Sequence, residues 1–293
     1  MKSDIDTSRI GGGDATEFQH TLSKARAAIE AVTLRLTVLL RGVTDPNTHA
    51  VGEWSIGEVA AHLSHVCAGE LMSASTAGAE PGPVIGNTRI EGVARFNSEN
   101  LDADPERDPD VLASRIEDRV VELLEATRGL RGDETVTWLG GMQLPVALIF
   151  CHFLGELIVH GHDIATASQQ PWTIEPEHAA LGGRFLFSFL ETIDPETRKS
   201  FVDADAAAGL RATFELRVRA SRSWFVEFDD GAMSFSNSPT GRVDCHISAD
   251  PVTFLLVAFG RIGPIRPALT GRLFVWGRKP HLAFKFTRLL KSP

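Results

Sequence analysis

Cysteine is scarce in this chain. Cys67, Cys151 and Cys245 are the three present, far apart and with no Cys-x-x-Cys pair. An odd, scattered set excludes a disulfide-stapled scaffold and fits a reducing, cytoplasmic setting. No run of about 18 uncharged apolar residues occurs, so no membrane span is expected. The N-terminal MKSDIDTSRIGGGD has no apolar core to act as a signal peptide and reads as a flexible polar arm over 1–13. No internal repeat is present, and no low-complexity tract beyond Gly11–Gly13. A Gly-x-Ser-x-Gly elbow, a phosphate-binding loop and a dinucleotide fingerprint are all missing, which removes several enzyme classes. Positive charge is also short: the net charge of −9 excludes a long nucleic-acid-binding face.

What remains is an ordinary soluble composition, 43% apolar and 23% charged, over 293 residues. That length suits two domains better than one core. In the first half, apolar residues recur at helical spacing from Asp14 to Arg41: Phe18, Leu22, Ala25, Ile29, Val32, Leu36 and Leu40. Ser55 and Glu58 have capping-box spacing and open a second helix that runs to about Ser75, with Trp54 before it as a staple residue. AGAEPGPVIGN reads as a loop and IEGVARFNSENL as a short helix. A third long helix is expected over Pro109–Arg128, then an extended TVTWL. A fourth is expected from Pro145 to just before Gln170. Four such helices predict an up-and-down bundle over 14–170. After a further helix, Pro176–Thr192, the pattern turns to strands. RATFELRVRA, the hairpin WFVEFDDGAMSF with its Asp230-Gly231 turn, VDCHISA and GRLFVWG are the candidates. Helices over about Asp250–Phe259 and in PHLAFKFTRLL complete a smaller α+β domain over 174–293. The boundary is placed near Gln170–Ile174.

The candidate chemistry sits on the fourth helix. Glu156 and His160 are four residues apart, about 40° around a helix, and so share one face. Leu157, Ile158 and Val159 lie between them, and a carboxylate buried in such a segment is costly unless paired or bound to metal. His62 lies in an apolar stretch of the second helix, and two helices packed at roughly 8–10 Å can bring the three groups together. Two imidazoles and a carboxylate leave a coordination position open, the catalytic pattern for zinc, and also suit iron or another divalent metal. The competing reading is an i,i+4 Glu–His pair at a partly exposed seam. His65 is an alternative to His62. His152, one turn before Glu156, is expected beside the site, and Asp163 can orient His160. His162, about 200° from His160, should not reach the same ion. Cys67 and Cys151 are read as small packing groups. Arg261, Arg266 and Arg272, among apolar residues, are candidates to hold a substrate carboxylate or simple surface charges.

WSIGEVAAHLSH and, some ninety residues on, GELIVHGHDIATA resemble the mycothiol-dependent maleylpyruvate isomerase family of actinobacteria. DCHISADPVTFLLVAFGR and LTGRLFVWG resemble its second domain. The resemblance implies a DinB-like four-helix bundle followed by a sterol-carrier-protein-like α+β domain. It implies zinc held by His62, Glu156 and His160, with Asp163 as the trailing acid and Arg261 as a catalytic arginine. Gly155 and Leu154 stand where the family often has a polar residue before the Glu. The implied activity is that of a metal-dependent, mycothiol-using isomerase or thiol transferase. Its partners are a low-molecular-weight thiol and a small electrophile such as maleylpyruvate or a xenobiotic, and the chain is expected as a monomer or homodimer. Two other readings are a non-catalytic small-molecule or lipid-binding protein and a zinc-dependent hydrolase.

Overall fold

The computed structural model describes residues 14–79, 90–219 and 223–291. The arm expected over 1–13 and the stretch 80–87 of the Gly- and Pro-rich loop lie outside them. The contacts divide the described residues into two compact units, 14–79 with 94–185 and 90–93 with 186–291, so the first turn of α3 groups with the second unit.

The first unit is helical. α1 (Ala15–Arg41) starts where Asp14 accepts the Glu17 amide, and its apolar stripe from Phe18 to Leu40 is buried. In the loop after it, β1 (His49–Val51) and β2 (Trp54–Ser55) form a small hairpin. α2 (Ile56–Ala74) carries the expected capping box: the Glu58 amide donates to Ser55 Oγ and the Ser55 amide to the Glu58 carboxylate. α3 (Ile90–Ala103) and α4 (Pro109–Ala126) follow, the latter capped by Asp108. β3 (Thr135–Trp138) pairs antiparallel with β4 (Met142–Pro145), a strand too short to show alternation in the sequence. α5 (Val146–Ser168) begins one residue after Pro145 and ends at Gln169, which adopts the left-handed conformation (φ 57°).

The long helices do not follow the up-and-down order. α1 packs on α4 and α5, and α2 packs on the same two. The consecutive helices α1 and α2 therefore lie diagonally across the bundle. The reason is the long connection 42–55, whose strand β1 rests on both α2 and α5, in place of the short turn that keeps consecutive helices side by side.

α5 is apolar over most of its surface and is the inner helix. By length and composition it is long and apolar enough to cross a membrane, yet 83% of that window is buried among the other elements. Two of its glycines serve close approach. Gly155 faces Gly182 of α6 (Pro176–Thr192), where a Cβ at 182 would stand 2.8 Å from Gly155 Cα. Gly161 lies under the Trp172 ring, whose indole N–H donates to the Ile158 carbonyl at 3.2 Å. The residue before Glu156 is thus a glycine for packing reasons.

The second unit is built on a five-stranded sheet. Its strands are β5 (Arg211–Val218), β6 (Ser223–Asp229), β7 (Ala232–Ser236), β8 (Cys245–Ala249) and β9 (Leu273–Gly277), in the order β7-β6-β5-β8-β9. β5 and β8 run parallel and the other pairs antiparallel. Asp230 and Gly231 both have positive φ, 50° and 84°, the type I′ geometry expected for this hairpin. α7 (Pro195–Ser200), α8 (Ala204–Ala207) and α10 (Ile265–Leu269) are too short to declare a period in the sequence. α9 (Pro251–Ala258) and α11 (Ala283–Leu289) were legible, and Phe286 of α11 packs on Phe214 and Phe228 of the sheet. A helical unit followed by an α+β unit is the expected fold class. The division falls within α6, beyond the Pro171 segment, because Arg184 of that helix bonds Glu17 and Thr21 of α1 while Phe187 stacks on Trp224 of β6.

Gly161→Ala must displace the Trp172 ring. A loss of about 1–3 kcal/mol in unfolding free energy is expected, measured by urea denaturation.

Candidate metal centre

α2 and α5 are neighbours, and their facing sides carry the polar groups. His62, Glu156 and His160 each offer a ligand atom, all within 4.8 Å of one another. Glu156 Oε2 lies 3.3 Å from His62 Nε2 and 3.3 Å from His160 Nε2. The two imidazole rings meet edge to face with centroids 5.1 Å apart. Trp54, expected as a staple residue, leans its ring over His62 at 4.9 Å and walls the site. His62 and His160 are buried, and the Glu156 side chain keeps 16% exposure.

His160 is oriented by the acid three residues on. Asp163 Oδ2 accepts from Nδ1 at 3.0 Å, which fixes that nitrogen as the protonated one and turns Nε2 toward Glu156. Burial lowers the His160 pKa, but the hydrogen bonds with Asp163 and Glu156 outweigh it and lift the pKa to about 8. Burial dominates at His62 and pushes it below the ordinary imidazole value. For Glu156 burial acts upward, yet the hydrogen bonds from His160 and His62 and the charge of His152 hold it well below the carboxylate range. The donor set is an ionised carboxylate between two imidazole rings, which fits a divalent cation once the His160 ring gives up its extra proton.

The other histidines separate by their partners. His65 turns away and pairs with Asp104 at 2.9 Å, so His62 is the α2 histidine brought to Glu156. His162 is not in the cluster, and its Nδ1 lies 3.9 Å from Asp163 Oδ1. His152 does stand beside the site: its Nε2 is 3.5 Å from Glu156 Oε1 and its Nδ1 is 2.6 Å from Glu70 Oε1. Glu70 is the group that sequence reasoning missed. It lies two turns beyond His62 on α2, only 2% exposed, and takes the Trp138 indole N–H at 3.1 Å. Its one signal was an acid in the otherwise apolar run HVCAGELM. Arg261 lies in the second unit just after α9, where its guanidinium donates to the Phe259 carbonyl at 2.6 Å; Arg266 and Arg272 are exposed there.

Residues 25–165 match the family model of the mycothiol maleylpyruvate isomerase N-terminal domain, and residues 190–291 that of the SCP-2 sterol transfer family. The chain combines the domains of these two families. The resemblance read from its motifs is borne out. Among solved structures it is similar to the mycothiol-dependent maleylpyruvate isomerase, at 16% identity and TM-score 0.49, over 82% of this chain and 90% of that one. A His-to-Ala mutant of a mycothiol-dependent maleylpyruvate isomerase gives 14% identity and TM-score 0.48 over the same shares. Sterol carrier protein 2 from Yarrowia lipolytica is similar at 25% identity and TM-score 0.25, over 32% of this chain and 85% of that one. No curated protein sequence matches the chain.

In metal-free protein the His160 imidazole should titrate near 8 by NMR. A pKa raised above the unfolded value of 6.5 adds stability that is full below 6.5 and lost as pH rises through about 8. Asp163→Asn should bring the titration down and shrink that loss. An unchanged midpoint would contradict the orienting role given to Asp163.

Proposed function

We propose that this chain is a metal-dependent enzyme that uses mycothiol to isomerise, or to add a thiol to, a small electrophile. The observation that carries the reading is the convergence of His62, Glu156 and His160 inside a bundle that matches the mycothiol maleylpyruvate isomerase N-terminal model. These residues are assigned as the metal ligands, and zinc is the metal that best suits two imidazoles and one carboxylate. A cation held by these three residues would offer an open position and lower the pKa of a thiol.

The chain's own residues supply the rest. Asp163 holds His160 by Nδ1, and Glu156 provides a fixed negative charge between the two rings. The Trp54 ring keeps one side of the site apolar. The nucleophile must come from outside the protein. Burial pushes the thiols of Cys67 and Cys151 up to about 12 and that of Cys245 to about 11, so all three stay protonated and inert. With a cis-enedione acid such as maleylpyruvate, the external thiolate adds to the double bond, the resulting single bond rotates, and loss of the same thiolate leaves the trans isomer. With an alkyl electrophile the thiolate forms a C–S bond as the leaving group departs, and with an epoxide it breaks the ring C–O bond to leave an alcohol after protonation, so a thiol conjugate is the product. Arg261 is assigned to the substrate carboxylate. A cytoplasmic location goes with this reading.

A second reading has one observation in its favour. The match of residues 190–291 to the SCP-2 sterol transfer family suits a domain that binds an apolar ligand without chemistry. Metal content separates the two.

His160→Ala should lose the bound metal while keeping its helical circular dichroism, with metal-to-protein ratio read by elemental analysis. Equal metal in the variant and the parent would remove the site. Mycothiol added to cobalt-substituted protein should shift the visible bands, and a spectrum that does not respond argues against a thiol at the metal.

A further inference from the structure

The two oxygens of Glu156 have different surroundings. Oε2 stands 3.3 Å from both His62 Nε2 and His160 Nε2, whereas Oε1 faces His152 Nε2 at 3.5 Å. His152 precedes Glu156 by four residues on α5, so it rises beside it on the same face. Its other nitrogen is anchored across the helix interface by Glu70 of α2 at 2.6 Å. Glu70 in turn accepts the Trp138 indole N–H with Oε2 at 3.1 Å. The rings of Trp138 and Phe185 flank His152, with centroids at 5.0 and 4.5 Å. The imidazole is thus held by Glu70 at one nitrogen and flanked by two aromatic rings, and its other nitrogen faces Glu156 Oε1.

An acid–histidine pair with the acid 2% and the imidazole 18% exposed is expensive. An apolar pair of the same volume fills such a space at no electrostatic cost and is often neutral or stabilising. What the polar pair supplies, and an apolar one does not, is an imidazole nitrogen held 3.5 Å from Glu156 Oε1. We propose that Glu70 and His152 are positioning residues that make Glu156 a one-oxygen ligand, reserving Oε2 for the metal and holding Oε1 out of its coordination. This rests on the reading of His62, Glu156 and His160 as metal ligands. A carboxylate that swings or chelates through both oxygens takes the position a thiol needs. The pair therefore governs the number of open positions as well as affinity.

The test uses the full chain and four variants: Glu70→Gln, His152→Ala, the double variant, and His65→Ala as a control outside the site. Zinc affinity is measured by competition with a chromophoric chelator, and the ligand field by the visible spectrum after cobalt substitution. Glu70→Gln and His152→Ala are each expected to weaken zinc binding by roughly 10–100-fold. They should also change the cobalt bands. The double variant should be no weaker than His152→Ala, because the two act through one contact. His65→Ala should match the parent in both readouts. Should His152→Ala fail to fold, Glu70→Gln, nearly the same shape, decides the matter. Parental affinity and spectrum in the Glu70 and His152 variants overturn this inference and leave the metal site standing. A folded parent chain that takes up no zinc or cobalt overturns both.

Discussion

A carboxylate inside an apolar helix is the constraint on which this bundle turns. α5 is mostly buried among other elements, and Glu156 projects from this largely apolar helix toward α2. An ionised carboxylate there is unstable by far more than a folded domain's margin unless partners surround it. Three histidines do so, one from α2 and two from α5 itself. Only a helix packed directly on α5 can supply the first of them. The diagonal placement of α1 and α2 makes α2 that helix, so the order of packing and the composition of the site are one fact. Gly155 and Gly161 belong to the same account, since they let other elements close over α5 without widening the gap at Glu156.

Much of this was legible in the sequence. The spacing of Glu156 and His160 fixes a shared helical face, the capping box at Ser55 sets the register of α2, and the Asp-Gly turn announces its hairpin. The family motifs then select His62 over His65, a choice that spacing left open. Glu70 was not legible, because its burial depends on which helix lies opposite, and a linear pattern carries no information on packing order. The same gap produced the up-and-down expectation. Strands of two to four residues and helices of four to six hold too few residues to show a period. The domain boundary moved for a related reason: composition changes at Pro171, but a helix can start in one unit and end in another.

Histidine is used here in several ways, and the partner of one ring nitrogen decides each use. His160 is held by Asp163 and so presents Nε2 to the site. His152 is held by Glu70 and so faces the far oxygen of Glu156. His65, bound to Asp104, is removed from the site although it is one turn from His62. Residue type alone would rank these side chains equally.

The three cysteines are all buried, with thiols that stay protonated. Under the proposed chemistry the reactive sulfur is borrowed, never part of the polypeptide. A sulfur that becomes oxidised or irreversibly alkylated then departs with the small molecule and is replaced by diffusion. The protein itself survives its own failed turnovers, and its working lifetime is set by metal retention and folding rather than by wear on a nucleophile.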